Sequence, residues 1–159
     1  MPIFATAGAK IFIGGVLDAK PADFVAADFT SQAWVQINNA ENIGSFGDTA
    51  TEITFDDIGK KRTQKLKGTR NAGNMELVFG QDYADPGQIA LLAAEKSIHD
   101  YAFKVEFNDA PDSGTPSQRL FIAKVMSAAE QLDTANNVMK LNSSLGINSN
   151  IVRVNAAEA

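Results

Sequence analysis

The side chains able to do chemistry are few. His99 is the single histidine, and the chain has no cysteine. A lone imidazole just past a predicted helix, without a second histidine or a thiol, supplies neither a nucleophile and its base nor a metal-ligand set. Asp56 and Asp57 are adjacent carboxylates on a predicted strand. Neighbours on a strand point to opposite faces, so the two do not converge on one substrate or ion. No GxSxG, GxGxxG or phosphate-loop spacing occurs. The expectation is a protein without catalytic residues, cofactor or bound metal.

Charge is the more informative signal. The 159-residue chain carries 14 Lys and Arg against 19 Asp and Glu, a net charge of -5. Six of those cations, Lys60, Lys61, Arg62, Lys65, Lys67 and Arg70, fall in the eleven residues from 60 to 70. A net negative chain is a poor general binder of nucleic acid or anionic membrane. The cluster occupies both strand parities and holds no aromatic side chain, so it offers neither a one-sided basic strand nor a stacking platform for bases. Leu66 is its only large apolar residue, too little to fold the stretch by burial. Residues 57–73 therefore read as an extended, flexible, charged hairpin loop. Three readings of that loop stand: a solvated loop, a nucleic-acid contact, or a contact for an acidic protein surface.

The elements around it are mainly strands. Residues 10–16 read as a strand that closes at Gly14-Gly15 or continues through a bulge there. Residues 21–30 read as a connection with one helical turn, and 33–37 as a short strand with Trp34. Residues 51–56 alternate Ile53 and Phe55 against Glu52, Thr54 and Asp56, a half-buried strand. Met75, Leu77 and Phe79 repeat that pattern opposite Glu76. Residues 101–107 place Tyr101, Phe103, Val105 and Phe107 inward, with Lys104 and Glu106 outward. Residues 119–126 are apolar on both faces, as in a strand covered on both sides. Residues 137–142 and 148–154 complete the strands, with a surface loop over 108–117. One helix follows Asp85, a good N-cap, and Pro86, suited to the first helical position. Its predicted buried stripe is Ile89, Leu92 and Ala93, with Ile89 and Leu92 packing near Phe103 or Val105.

One domain is expected for this length, spanning 1–159 with an N-terminal arm over about 1–9. The apolar start, MPIFATAGAKIFIGGVL, lacks a basic segment ahead of it and is interrupted by Lys10, so no secretory leader is expected. No uninterrupted apolar run approaches a membrane span, and no membrane insertion is expected. The absence of cysteine is compatible with a reducing cytoplasm.

The order of these segments carries a resemblance. Trp34-Val35-Gln36-Ile37, then Ile43-Gly44-Ser45-Phe46-Gly47-Asp48, then Glu52-Ile53-Thr54-Phe55-Asp56-Asp57 precede the charged loop. Asn71-Ala72-Gly73-Asn74-Met75-Glu76-Leu77-Val78-Phe79, the Pro86 helix and Tyr101-Ala102-Phe103-Lys104-Val105 follow it. Over roughly residues 10 to 154 the chain resembles the major tail tube proteins of long, non-contractile-tailed, lambda-like bacteriophages. It departs from them in one respect, a basic loop where relatives often carry an acidic one. The resemblance implies a β-sandwich or barrel-like fold with a flanking helix, in which six copies form a ring with a continuous inner barrel. Rings would stack around a tape measure protein, between tail tip and terminator proteins. DNA would later pass through the lumen without specific binding. Assembly would take place in the host bacterial cytoplasm and the product would reside in the virion tail. The tubes of contractile tails and of type VI secretion share that fold. A small β-barrel that binds nucleic acid is the alternative of a different class.

Two site expectations follow from the resemblance. Glu52, Asp56 and Glu76 would line the lumen, because a conduit for DNA should not grip phosphates. Lys60, Lys61, Arg62, Lys65, Lys67 and Arg70 would meet acidic side chains on the adjacent ring or on the tape measure protein.

Overall fold

The computed structural model describes residues 3–158. These described residues form ten strands, one α-helix and one 3-10 turn. β1 (Lys10–Val16) is followed by a 3-10 turn (Ala26–Phe29), β2 (Val35–Ile37), β3 (Ala40–Asn42), β4 (Thr49–Asp57) and β5 (Arg62–Asn71). β6 (Asn74–Gly80), α1 (Pro86–Glu95), β7 (Tyr101–Glu106), β8 (Gln118–Gln131), β9 (Lys140–Ile147) and β10 (Val152–Val154) complete it.

The main sheet has eight strands in the order β2-β1-β7-β8-β9-β6-β3, with β10 also paired to β8. All its pairings are antiparallel. β8 is the element that turns this sheet into two layers. Its first half pairs with β7, from Gln118↔Glu106 to Ala123↔Tyr101. Its second half pairs with β9, from Ala123↔Ile147 to Gln131↔Lys140, across a bulge between Val125 and Ser127. A bulge bends its strand and raises the local twist, which carries the sheet around onto itself. The two end strands, β2 and β3, are separated in sequence only by Asn38 and Asn39, so the chain steps from one end of the sheet to the other. Asn39 sits at φ 65, in the left-handed region that asparagine tolerates. The mainly β, barrel-like sandwich with one helix agrees with the expected fold class.

Alternation places the core. Ile11 and Ile13 from β1, Met75, Leu77 and Phe79 from β6, and Phe103 and Val105 from β7 meet Phe121, Leu141 and Leu145 between the layers, all at most 2% exposed. β7 and β8 also bury their other face. Ala102, Leu120 and Ile122 pack there against Phe24, Phe29 and Val152, supplied by the 17–34 connection and β10. Lys104, predicted to point outward into solvent, is instead covered, with its ammonium 4.4 Å from the Phe12 ring and 5.2 Å from the Trp34 ring. β1 continues through Gly14-Gly15 with a register shift between Ile13 and Val16.

The helix is where it was predicted, but rotated. Its buried residues are Gly87, Gln88, Leu91 and Ala94, while Ile89 is 52% and Leu92 37% exposed. The reason is a close approach at Gly87, where a Cβ would collide with the Gln36 carbonyl oxygen and the Ile37 Cα. That approach puts the 87/91/94 face on the sheet. Gln88 is then buried and fully engaged: its Nε2 donates to Gly80 O (2.9 Å) and Asn38 O (3.2 Å), and its Oε1 accepts from Asp82 N (3.0 Å). Asp85 caps the helix, accepting from Gln88 N at 3.0 Å.

Candidate assembly surfaces

The stretch predicted as a flexible loop is a strand. β4 and β5 form a separate two-stranded antiparallel ribbon, paired from Thr49↔Asn71 to Asp57↔Arg62 and closed by the turn 58–61. Lys61, at φ 53, turns the chain back. Pairing across the two strands explains the order. Glu52 lies opposite Lys67, Thr54 opposite Lys65 and Asp57 opposite Arg62. Glu52 Oε1 is 3.3 Å from Lys65 Nζ, and Thr63 Oγ1 donates to Asp56 Oδ1 at 2.6 Å. At the base Arg70 Nη2 donates to Asp48 Oδ2 at 3.0 Å. Opposite charges across an antiparallel pair stabilise it by about 0.2–1 kcal/mol each. The signal in the sequence was this mirroring of an acidic strand by a basic one.

The ribbon has two unlike faces. Glu52, Thr54 and Asp56 share one with Lys67, Lys65 and Thr63. Ile53, Phe55 and Asp57 share the other with Leu66, Gln64 and Arg62. Ile53, Phe55 and Leu66 are 46%, 58% and 58% exposed, so the predicted half-buried strand does not bury its apolar face. At the tip Ile58 is 99% exposed. All six clustered cations lie on β5 or its turn, apart from the core.

The three acidic residues assigned together to one channel face separate into two places. Glu52 and Asp56 are on the ribbon. Glu76 is on β6, on the uncovered polar face of the main sheet, where it accepts from Ser144 Oγ at 3.0 Å. Asn74, Asn142 and Ser127 lie on the same side, in register with it along β6, β9 and β8. This sheet half ends in two edges without a strand partner. One is β3, exposed throughout. The other is the side of β8 beyond Ala123 that faces away from β9, since β7 pairs no further. Met126, Ala129 and Gln131 along it are exposed.

A third surface is a groove of about 280 Å³ between the N-terminal segment, the 43–46 loop and the end of β7, lined by Phe4, Ile43, Phe46, Val105 and Phe107. The N-terminal segment is held there by Asn108 Nδ2 donating to Ala7 O at 2.7 Å; Met1 and Pro2 lie outside the described residues. Asp109 borders the groove. Hydrogen bonds from the Ser117 hydroxyl (2.6 Å) and amide (2.8 Å) hold its carboxyl below the usual range. Arg119 lies beside it over Phe107, its guanidinium carbon 4.6 Å from the ring. Burial, then the charge of Arg153, push the Arg119 pKa down, against a smaller opposing effect of Asp109.

Among the described residues no group of three His, Cys, Asp or Glu side chains could hold a metal ion. No helix among the described residues is long and apolar enough to cross a membrane. His99 is exposed beyond α1, with its amide bonded to Ser97 Oγ.

No family model matches the sequence, and no curated protein matches it. Solved structures do. A chain of the SPP1 tail tube superposes with a TM-score of 0.63 at 15% identity, over 99% of this chain and 81% of that one. A chain of the anti-feeding prophage baseplate gives 0.65 at 14% identity, over 98% and 97%. One from the sheath/tube terminator of the extracellular contractile injection system PVC gives 0.66 at 10% identity, over 97% and 98%. At these identities the likeness is one of fold, and it runs over nearly the whole chain. The chain has the fold shared by chains of a phage tail tube, of the anti-feeding prophage baseplate and of an extracellular contractile injection system.

Proposed function

We propose that this chain is a structural subunit of a phage tail tube, polymerising as stacked hexameric rings that conduct DNA. The observation that carries the reading is the pair of open edges, β3 and the second half of β8, on the two sides of one polar, uncovered sheet half. In a monomer such edges invite aggregation. In a head-to-tail ring the β3 edge of one copy meets the β8 edge of the next, and a closing rotation leaves none open. The polar face carrying Asn74, Glu76, Asn142 and Ser144 then becomes the inner wall. Glu76, repeated in each copy, makes that wall acidic where DNA would pass. Glu52 and Asp56 reach the lumen only if the ribbon lies along it.

The ribbon gives the stack. Lys60, Lys61, Arg62, Lys65, Lys67 and Arg70 present a positive surface to acidic groups on the neighbouring ring or on a tape measure protein. Tail tip and terminator proteins would cap the ends. The subunit would assemble in the host bacterial cytoplasm and reside in the virion tail. The tube of a contractile machine is the second reading, favoured by the equally good superposition on a chain of an extracellular contractile injection system. Electron microscopy of the purified protein, alone and after addition to preformed tail ends, tests both. Hollow tubes with a regular ring repeat are expected. A concentrated protein that forms no tube and extends no tail end overturns the proposal, and co-assembly with a sheath protein selects the second reading.

A further inference from the structure

The open edge of β3 has a potential partner in its own chain. β1 and β2 are antiparallel, with Ile11 opposite Ile37, Phe12 opposite Gln36 and Ile13 opposite Val35. Each step back along β1 matches one step forward from β2. Carried on in that register, Gly8 falls opposite Ala40 and Thr6 opposite Asn42. β6 occupies one side of β3, so this places the N-terminal segment on the other, unpaired side. The two stretches do run beside each other: residues 6–9 and 40–44 together line a cleft of about 410 Å³. They are adjacent but not zipped. Among the described residues no backbone hydrogen bond joins them.

Two local features hold the segment off that edge. Gly8 turns the chain at φ 97, a conformation that glycine enters freely and other residues do not. Ala9 N donates to Thr6 O at 2.9 Å and closes the turn. Asn108 then ties the segment down, its Nδ2 donating to Ala7 O at 2.7 Å. The same side chain packs against Gly8, where a Cβ would lie 2.8 Å from Asn108 Cγ. The tether is therefore one side-chain hydrogen bond and one glycine conformation, and Ile3 and Phe4 ahead of it are exposed. Rotating Gly8 from positive φ to extended costs a glycine little and straightens the segment along β3. Covering an open edge with a segment of chain is a general defence against unwanted strand pairing.

We infer that the N-terminal segment is a switch on the β3 edge. Tied to Asn108, it leaves the edge open. Released, it pairs with β3, Gly8 against Ala40 and Thr6 against Asn42, and closes the edge to any strand from another chain. Gly8 is the hinge and Asn108 the catch. The pairing stands on register and geometry alone; its control of assembly rests on the tube reading.

The absence of cysteine makes the test direct. Thr6→Cys with Asn42→Cys, oxidised mildly in dilute soluble protein, should form a disulfide within the chain. Thr6→Cys with Glu41→Cys is one step out of register and on opposite faces, and should link about tenfold more slowly or not at all. Gly8→Ala added to the first pair strains the tied state and presses on Asn108, so it should speed linking about tenfold. The linked chain should neither form tubes nor extend tail ends, and reduction should restore both. No link in the soluble chain, equal linking of the two pairs, or linking unchanged by Gly8→Ala overturns the pairing. Normal tubes from the linked chain overturn the switch and leave the tube reading intact. In-register linking sped by Gly8→Ala, in a chain that forms no tube even when reduced, supports the pairing and overturns the tube reading.

Discussion

The body of the subunit and its ribbon are built from the same kind of strand and obey opposite rules of burial. In β6, Met75, Leu77 and Phe79 alternate with polar residues and are at most 1% exposed. In β4, Ile53 and Phe55 alternate just as cleanly and are about half exposed. Period-two patterning fixes which side chains share a face; it does not fix what covers that face. The body supplies its own cover, because β8 folds one half of the sheet over the other. The ribbon has none within the subunit. A lone two-stranded hairpin is marginally stable in water; this one is tied across its strands by the Glu52–Lys65 ion pair and the Thr63–Asp56 hydrogen bond while its apolar side stays open.

The largest effect should come from the body. Leu91→Ala removes a fully buried side chain at the helix–sheet contact and should destabilise the subunit by about 2–5 kcal/mol in chemical denaturation. Leu92→Ala, one position along, should change it by only about 0.5 kcal/mol. Equal losses for the two would mean that α1 sits on the sheet by its other face.

On the ribbon the order of effects should invert. Phe55→Ser should leave the unfolding midpoint of the free subunit nearly unchanged and abolish or sharply reduce assembly, followed by sedimentation. Reversal of Lys61, Lys65 and Lys67 to Glu should likewise spare subunit stability while slowing tube growth, since exposed pairs such as Glu52–Lys65 are each worth about 0–1 kcal/mol. Raised salt should partly reproduce that defect in the unaltered protein, because screening weakens exposed charges first. Normal tubes from the triple reversal would reduce the cation cluster to a solvated face.

These contrasts also mark how far the sequence alone could be read. Most strands of the body and the helix start were legible because periodicity, Asp85 and Pro86 are local signals, but β3 was not expected and the strand expected over 137–142 runs over Lys140–Ile147. The rotation of α1 was not, because it is decided by contact of Gly87 with the β2 backbone, far off in sequence. The second buried face of β7 was hidden for the same reason: Lys104 reads as solvent-facing until Phe12 and Trp34 are brought over it. β5 escaped notice because its order comes from pairing with β4 rather than from hydrophobic alternation. The candidate cations were correctly gathered on one element. Glu52, Asp56 and Glu76, expected on one face, lie on two elements, because β4 pairs only with β5 and not with the main sheet that holds β6.

The smallest expected effect is a pH dependence that belongs to the body and not to the ribbon. Asp109 is tied to Ser117 by hydrogen bonds to its ionised form, so its folded pKa lies below the ordinary 3.8. A carboxyl depressed in the folded state stabilises that state above its unfolded pKa, and the stabilisation disappears as pH falls through the folded value. Asp109→Asn removes this contribution while keeping a side chain that can still accept from Ser117. The melting temperature of the variant should thus lie slightly below that of the parent protein at neutral pH. The gap should close progressively below pH 3.8. Phe55→Ser, which touches only the ribbon, should show no such convergence with pH. A gap that stays constant through the acid range would mean that Asp109 acts there through shape alone, and that the border of the groove is held without its charge.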